Sequence, residues 1–362
     1  MERVSARLAV VGGGVVGSII AWRAARNGWR TTLHAPDITG AGTSVAGGML
    51  GCAGEGRPGE DALLEFALAA RDRWPALLAD LDASGVDTAD IMVAADTLLI
   101  AADSSDVGHL RAVVDHLAAF DVRPESVDRD RMRSAAAMLG SSARRGYLVT
   151  GEGAVDNRAL LAAVRSGARS AGVTLETEKV CRIGDLDADQ VVVATGSWAP
   201  DLIEGVSVTA EKGEILRLSR PPTAPPPPDA VVRARWRGRS VYVVPRRDGV
   251  VVGATQYETG DRDDTAPRVG GVSDLLIDAT ELMPGLAEYR VAEIGSGLRP
   301  TTADGLPLVG RRDRRTVVAV GHGRNGILTA PLTAEIVVDL LDVSSPPSAS
   351  PWVARLDPRR SA

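Results

Sequence analysis

Residues 7–17 read Arg-Leu-Ala-Val-Val-Gly-Gly-Gly-Val-Val-Gly, a short apolar run that ends in the glycine pattern Gly12-x-Gly14-x-x-Gly17. A helix-compatible segment of about four turns follows, and Gly28 separates it from a second β-branched run. This order predicts a strand–helix–strand unit that binds a dinucleotide. Gly12 permits the tight turn, Gly14 lets the backbone approach a pyrophosphate, and Gly17 lets helix and strand pack closely. The helix N-terminus, with its unpaired N–H groups, favours the anion.

The second strand of such a unit ordinarily ends in Asp or Glu, which hydrogen-bonds the ribose hydroxyls of the adenosine. In this chain Ala35 occupies the matching position, with His34 before it and Asp37 two residues after it. Two alternatives remain open. Either Asp37 turns back toward the ribose, or backbone groups bind it, so Asp37 is a candidate ligand.

Residues 8–22 are apolar apart from their glycines and Ser18, a pattern that also occurs in membrane segments. These fifteen residues are too few to span a bilayer, and no small-residue cleavage site follows them. We therefore expect neither a transmembrane helix nor a signal peptide.

The composition is that of a globular protein, and 362 residues suffice for two domains or one large one. The net charge of −6 and the pI near 5.4 give no basic surface, so neither nucleic acid nor a membrane is expected as a partner. Cys52 and Cys181 lie far apart, and the four histidines show no paired-ligand spacing. The sequence thus predicts no metal site and a reduced, cytoplasmic setting.

A glycine-dense segment, residues 40–55, follows the second strand without a steady period. Its small residues let the backbone lie against a flat ligand, and the hydroxyls of Thr43 and Ser44 suit phosphate or ribose oxygens. A flexible surface loop is the alternative. Residues 60–84 then show one broad apolar face, which predicts an amphipathic helix packed in the core.

Helices and strands alternate over the next hundred residues. The pattern predicts strands over 97–101 and 173–180, and helices over 104–120, 128–138 and 157–171, the last with Asn157 as its cap. The apolar run 190–198 is expected to be a buried parallel strand that enters a glycine turn and extends the first sheet.

From Val206 onward the sequence pattern changes to one typical of short strands with alternating apolar and polar residues. An antiparallel sheet is predicted from the runs at 213–218, 231–235, 240–245 and 249–253. Residues 221–228 contain six prolines in eight positions and predict an extended loop between strands. The last predicted elements are a helix over 270–283, a strand over 316–320, a glycine turn and a helix over 328–341, and the tail beyond Val343 is expected to be mobile.

Nine motifs, spread from residue 7 to about 341, together resemble the D-amino-acid-oxidase family of flavoenzymes, and within it the glycine oxidases of thiamine biosynthesis. They are Gly12-x-Gly14-x-x-Gly17, Thr43-Ser44-x-Ala46-x-Gly48-Met49-Leu50-Gly51 with Glu55, Ala194-Thr195-Gly196-Ser197-Trp198, Glu211-Lys212-Gly213-Glu214, Tyr242-Val243-Val244-Pro245-Arg246, Val252-Gly253-Ala254-Thr255, Gly297-Leu298-Arg299-Pro300, Asp304-Gly305-x-Pro307, and Gly321-His322-x-Arg324-Asn325-Gly326-Ile327-Leu328.

The resemblance implies an α/β fold with an α+β second domain: a Rossmann-like FAD-binding domain interleaved with a mainly antiparallel substrate-binding domain. The expected FAD-binding domain comprises residues 1–85, 145–205 and 290–345. The expected substrate-binding domain comprises 86–144 and 206–289, and residues 346–362 form the mobile tail. Neither cysteine sits where covalently flavinylated relatives carry their attachment cysteine, so the FAD is expected to be non-covalent.

The resemblance also assigns roles to single residues. Tyr242 and Arg299 correspond to residues that hold the substrate carboxylate, Met49 to one beside the substrate, Arg324 to one near the flavin ring, and Val180 to a backbone contact with adenine. The full set of expected cofactor-binding residues is Gly12, Gly14, Val15, Val16, Gly17, Thr43, Ser44, Gly47, Gly48, Met49, Leu50, Val180, Thr195, Gly196, Trp198, Arg299, His322, Arg324, Asn325, Gly326, Ile327 and Leu328.

The chemistry of the residues agrees with these roles. A planar guanidinium grips a carboxylate through two parallel bonds, and a Tyr hydroxyl supplies a third. The alternatives are a solvated or ion-paired Arg299 and a Tyr242 that merely packs in a strand, and Lys212 is expected to be a solvated turn lysine. The chain departs from the family at Ala35, at Gly323, where an aromatic residue is common, and at 261–262, where a bulky apolar residue is common.

The expected activity is oxidation of glycine, and of sarcosine and small D-amino acids, to the imine, with O₂ reduced to hydrogen peroxide. A D-amino-acid dehydrogenase that passes electrons to a quinone is the enzyme alternative, and a catalytically silent flavin-binding paralogue is the other. A homo-oligomer is expected from the resemblance alone.

Overall fold

The computed structural model describes residues 6–38, 40–55, 59–342 and 351–361. Its strands are β1 (Arg7–Val11), β2 (Arg30–His34), β3 (Met92–Ala94), β4 (Thr97–Ala101), β5 (Glu125–Val127), β6 (Arg145–Val149), β7 (Ala154–Val155), β8 (Thr174–Glu176), β9 (Gln190–Val193), β10 (Thr209–Ser219), β11 (Val231–Trp236), β12 (Arg239–Arg246), β13 (Gly249–Gly253), β14 (Tyr257–Thr259), β15 (Arg290–Thr301), β16 (Leu308–Arg311) and β17 (Thr316–Val320). Its α-helices are α1 (Val15–Arg26), α2 (Gly42–Val45), α3 (Asp61–Arg71), α4 (Trp74–Ala83), α5 (Ser104–Leu117), α6 (Arg129–Ala135), α7 (Asn157–Ser170), α8 (Val269–Leu282), α9 (Gly326–Leu341) and α10 (Trp352–Arg355).

A six-stranded sheet carries the predicted strand–helix–strand unit. Its order is β16-β17-β9-β1-β2-β8, and every pair is parallel except β16 with β17. The central strand β1 pairs with both β2 and β9, so the prediction that the run at 190 extends the first sheet is confirmed. Helix α1 packs against α7 and α9, and its residues Ile19, Ile20 and Trp22 are fully buried.

A nine-stranded sheet of mainly antiparallel pairs forms the second layer. Its order is β14-β10-β13-β12-β11-β4-β6-β5, with β15 also paired to β10, and the β4–β11 pair is parallel. The four predicted strands of this block are confirmed as β10 to β13, and the proline-rich segment connects β10 to β11 as predicted. A separate ladder joins β3 to β7.

The expected domain limits need correction at two strands. Both β6 and β15 lie in the nine-stranded sheet, although the limits at 145 and 290 assigned them to the FAD-binding domain. Strand β15 is twelve residues long and pairs with β10 along almost its whole length, because an isolated strand of that size would leave its backbone donors and acceptors without partners. The assignment of FAD binding to one domain and substrate binding to the other stays a prediction.

Several helix limits also differ from the predictions. The single helix expected over 60–84 is two helices, α3 and α4, because Pro75 has no N–H to donate and fits only the first turn of a new helix. The cap of α7 is Asp156 rather than Asn157, since the Asp156 Oδ1 accepts from the backbone N–H groups of Arg158 and Ala159 at 2.8 and 2.9 Å. No helix in the described ranges is long and apolar enough to cross a membrane.

The end of the chain is ordered where it was expected to be mobile. Residues 343–350 lie outside the described residues, but residues 351–361 pack against the six-stranded sheet. Leu356 is fully buried and its carbonyl accepts from the backbone N–H of Val309 at 2.8 Å. The Trp352 ring meets Phe66 edge-on with centroids 5.0 Å apart. The prediction of mobility is therefore wrong for this segment, because these partners are distant in sequence.

Candidate active site

A cavity of about 1540 Å³ lies between the two sheets. One part of its wall, here named the glycine end, consists of residues 12–16 and 35–38 with Val180. A second part, the tyrosine end, consists of Met49, Tyr242, Thr255 and Arg299 with their neighbours on the nine-stranded sheet.

At the glycine end the backbone is too close for side chains. Gly12 has φ +117°, and a Cβ there would lie 2.3 Å from the carbonyl oxygen of Ala194. A Cβ on Gly17 would lie 2.0 Å from the oxygen of Gly12, which accounts for the close packing of helix and strand. Gly14 precedes the first residue of α1 and has no side chain to cap the helix, so an anion can approach the first turn of α1, where Thr43 binds only the N–H of Val15.

Thr43 flanks this helix terminus. Its Oγ1 accepts from the backbone N–H of Val15 at 3.1 Å and lies 3.2 Å from the position that a Cβ on Gly14 would take. The hydroxyl of Thr43 therefore sits beside the predicted pyrophosphate site, as its residue type indicated.

Ala35 lies at the end of β2 and is buried against the glycine turn. A Cβ on Gly13 would lie 2.3 Å from the Cβ of Ala35, and the Ala35 N–H donates to the Glu176 carbonyl at 2.7 Å. Asp37 lines the cavity and is exposed, so it remains a candidate for the missing ribose acid. Arg165, which the sequence did not single out, lines the same part of the wall.

At the tyrosine end glycines make room for the side chains of other residues. Tyr242 on β12 pairs with Gly253 on β13, and a Cβ on Gly253 would lie 2.3 Å from the Tyr242 hydroxyl oxygen. A Cβ on Gly47 would lie 3.0 Å from the same ring. The ring thus lies over one glycine and beside another, and it faces the cavity.

Arg299 lies on β15, which pairs with the strand β10 that carries Gly213. Its Nη1 and Nη2 both donate to the carbonyl of Thr255, at 3.2 and 3.1 Å, and a Cβ on Gly213 would lie 2.2 Å from Nη2. Arg299 forms no ion pair with any residue in the described ranges. Its guanidinium is therefore oriented by a neutral carbonyl, and its charge is available to a ligand in the cavity.

Buried polar contacts hold Thr255 in place. The Thr255 hydroxyl donates to the Glu214 carboxylate at 3.1 Å and accepts from the Glu214 backbone N–H at 2.9 Å.

Lys212, two residues before Glu214, is 0% exposed and donates from Nζ to Asp264 Oδ1 at 2.8 Å and to the Ala266 carbonyl at 2.5 Å. The prediction of a solvated Lys212 is wrong: the ammonium anchors the loop after β14, and it lowers the pKa of Asp264 through this hydrogen bond.

The second glycine turn, residues 321–326, closes the cavity from the side of α9. Arg324 donates from Nη2 to Glu60 Oε2 at 3.1 Å and lines the wall. His322 Nε2 lies 3.1 Å from the Thr333 hydroxyl, and complete burial lowers the pKa of His322 to about 4. His322 is therefore neutral at pH 7.

Two polar side chains, Asn157 and Arg246, bind the backbone of the glycine-dense segment, and the sequence did not predict these contacts. Asn157 donates from Nδ2 to the Thr43 carbonyl at 2.6 Å, and Arg246 donates to the Gly47 carbonyl at 3.0 Å. The Arg246 guanidinium also pairs with Asp156 at 3.1 Å, and burial lowers the pKa of Arg246 to about 10. These residues fix the glycine-dense segment against the large sheet. Arg246 belongs to a quoted motif, but its buried role depends on partners that are distant in sequence.

Most of the predicted site residues meet in this one cavity. Those that line it are Gly12, Gly14, Val15, Val16, Thr43, Ser44, Gly47, Gly48, Met49, Val180, Thr195, Gly196, Trp198, Tyr242, Arg299, His322, Arg324, Asn325, Gly326 and Ile327. Gly17, Leu50 and Leu328 do not line it. Gly17 packs against Gly12 and Ala194, whereas Leu50 and Leu328 are buried in the hydrophobic core. Within the described ranges, no three His, Cys, Asp or Glu side chains converge as metal ligands would.

Comparison with known proteins gives a consistent result. Residues 7–340 match the family model described as DAO, FAD dependent oxidoreductase. The chain is 30% identical over 357 residues to a glycine oxidase of Bacillus licheniformis, and the match covers 92% of each protein. It is 28% identical over 352 residues to the bifunctional protein ThiO/ThiG of Trichormus variabilis, with 92% of this chain and 52% of that protein covered, so the chain spans about half of that relative.

The fold comparison agrees. The crystal structure of glycine oxidase from Geobacillus kaustophilus superposes with a TM-score of 0.82 at 28% identity, covering 96% of this chain and 98% of that one.

Proposed function

The chain belongs to the DAO family of FAD-dependent oxidoreductases, and from this premise we propose that it oxidises small amino acids, glycine foremost, with O₂ as the electron acceptor. The observation that carries the proposal is the pairing of Tyr242 and Arg299 at one end of the cavity, each over a glycine that makes room for it. A guanidinium and a phenol that face one cavity can together bind a carboxylate, which supports this assignment.

FAD fits the cavity on the geometry of the protein itself. The cavity is lined both by the first residues of α1 and by the residues of the tyrosine end, and at Gly12 and Gly14 the backbone admits close approach. Residues 12–16 and Thr43 would hold the pyrophosphate, and residues 322–327 with Met49 would border the flavin. When bound, FAD accepts a hydride from the substrate α-carbon and returns the electrons to O₂.

The side chains have a positioning task in this reaction. Arg299 and Tyr242 bind the carboxylate and thereby direct the α-carbon toward the flavin, a contribution of proximity and orientation. The amino acid loses two electrons and two protons to become the imine, and O₂ gains them to become hydrogen peroxide. Water then hydrolyses the imine to the 2-oxo acid and ammonia. The neutral His322 adds no charge beside the flavin site.

A flavin-reduction screen tests the proposal. The purified protein should be yellow, should bleach without oxygen on addition of glycine, and should release peroxide in air. Sarcosine, D-alanine, D-proline and bulkier D-amino acids in the same assay give the substrate ranking. Absence of a flavin spectrum after reconstitution with FAD would contradict the cofactor assignment.

The same screen separates the two alternatives. Brisk dye reduction with negligible oxygen consumption would identify a dehydrogenase, and bound FAD that no amino acid reduces would identify a silent paralogue. The similarity to a bifunctional ThiO/ThiG protein supports a place in thiamine biosynthesis, where the imine would enter thiazole formation. The cytoplasmic setting and the homo-oligomer remain predictions.

A further inference from the structure

The glycine end lacks the acid that ordinarily binds the adenosine ribose. Ala35 stands in its place, and its methyl group is packed directly against Gly13. The two ribose hydroxyls of FAD are polar groups that lose water when the cofactor binds, so they need protein partners. The backbone N–H of Ala35 is already engaged with the Glu176 carbonyl and cannot serve.

Arg165 supplies hydrogen-bond donors at this point of the wall. It extends from the middle of α7, lines the cavity together with Ala35 and Asp37, and donates from Nη2 to the Gly13 carbonyl at 2.6 Å. Its Nε is buried without a hydrogen-bond partner among the residues that the structure describes, and because this atom has no accessible surface, any contact with a ligand must come from Nη1 or Nη2. The Gly13 contact fixes the guanidinium at the first glycine turn and leaves other N–H groups for a ligand.

The charge around Arg165 is also suited to a neutral ligand. Burial lowers the pKa of Arg165, the neighbouring Arg169 lowers it further, and the carboxylate of Asp37 acts in the opposite direction. A guanidinium that has lost water, and whose charge is partly balanced by Asp37, gains from donating to hydroxyl oxygens.

We propose that Arg165 binds the adenosine ribose of FAD, in the position where related dinucleotide sites use a carboxylate. Arg165 donates to the ribose oxygens, whereas a carboxylate would accept from the ribose hydroxyls. The identity of the amino-acid substrate has no part in this inference, because FAD is the cofactor of the family. Its tests are binding measurements, so their outcome is independent of whether glycine is the substrate.

The first test measures FAD release from the holoprotein on dilution, followed by flavin fluorescence. Arg165→Met should raise the dissociation constant for FAD about 10- to 100-fold, the range for a hydrogen bond to a charged group. Arg165→Lys, which retains the charge without the planar fork, should fall between. The matched control is Arg169→Met, one turn further along the same helix, exposed and outside the cavity wall, which should leave the constant unchanged. Equal dissociation constants for wild type and Arg165→Met would overturn the proposal.

The second test separates a ribose contact from a structural role of the Gly13 hydrogen bond. ADP and 2′-deoxy-ADP are used to displace FAD from the wild type and from Arg165→Met. A ribose contact predicts that the wild type prefers ADP by about tenfold or more and that this preference is lost in the variant. If both nucleotides weaken equally and the preference persists in Arg165→Met, Arg165 acts on the turn or the pyrophosphate, and the proposal is wrong.

Discussion

The two ends of the cavity use glycine for different purposes. At the glycine end, an added Cβ would lie 2.3 Å from a backbone oxygen at Gly12 and 2.0 Å from one at the nearby Gly17, so neither position has room for a side chain. At the tyrosine end, the atoms that an added Cβ would meet belong to the side chains of Arg299, over Gly213, and Tyr242, over Gly253. Glycine therefore allows a ligand to approach the backbone at one end. At the other end it leaves space for the side chains of Arg299 and Tyr242.

This difference predicts different consequences of substitution. Backbone cannot move away from a new methyl group without disturbing the sheet, whereas the end of an arginine side chain can move at lower cost. Substitutions of Gly12 and Gly17 should therefore affect folding and FAD together. Substitutions at the tyrosine end should affect the substrate and leave FAD in place.

Gly12→Ala should show the largest effect. The left-handed φ of +117° and the contact with the Ala194 carbonyl together predict a loss of about 2–5 kcal/mol in the free energy of unfolding, with loss of bound FAD. Chemical denaturation and the flavin absorbance of the purified protein measure the two effects. Gly28→Ala is the matched control, because Gly28 also has a positive φ, +89°, but a Cβ there would meet nothing within 4 Å. If both variants lose the same stability, crowding at Gly12 has no special role.

The two ends also differ in how far the sequence predicts them. The first segment of the glycine end is determined locally. One pattern within eleven residues contains the turn, the helix start and the close contact of Gly17 with Gly12, and each is confirmed. The tyrosine end depends on strand register, because Gly213, Gly253 and Thr255 come to their partners only when β10, β12, β13 and β15 pair. The resemblance predicted Tyr242 and Arg299 there, but not the carbonyl that orients Arg299.

Burial of polar residues was the least predictable property. Lys212 carries no local signal that distinguishes an anchored ammonium from a solvated one, since its partners Asp264 and Ala266 lie about fifty residues away. The same holds for Asn157, whose amide reaches Thr43 across the interface between α7 and α2. Such contacts follow from the tertiary fold and not from a sequence pattern.

Gly213→Ala tests the tyrosine end in the same way. The new Cβ would overlap the Arg299 guanidinium, which should leave the Thr255 carbonyl, while the protein folds and retains FAD. We expect the dissociation constant of glycine in anaerobic flavin reduction to rise about 10- to 100-fold, from the loss of a charge-assisted contact. Loss of FAD from this variant would show that the two ends are not independent.

His322→Gln tests a smaller effect, a change in how stability depends on pH on the acid side. Burial holds the pKa of His322 at about 4, whereas the unfolded chain takes up this proton near pH 6.5. Between these values the unfolded state binds more protons, so wild-type stability falls as the pH is lowered from about 6.5, by at most about 1.4 kcal/mol per pH unit from this group. Urea denaturation at pH 7 and pH 5.5 should show a shallower decline for His322→Gln. An identical decline in both proteins would contradict a neutral, buried His322.

The most direct test of the proposed substrate site is a stopped-flow titration of Arg299→Ala and Arg299→Lys with glycine in the absence of oxygen. If Arg299 holds the carboxylate, Arg299→Ala should raise the dissociation constant for flavin reduction by a factor of about 10 to 200, from about 1.5–3 kcal/mol of charge-assisted bonding, and Arg299→Lys should fall between. The FAD content and flavin spectrum should equal those of the wild type. If Arg299→Ala reduces with the wild-type dependence on glycine concentration, the carboxylate is bound elsewhere and the account of the tyrosine end is wrong.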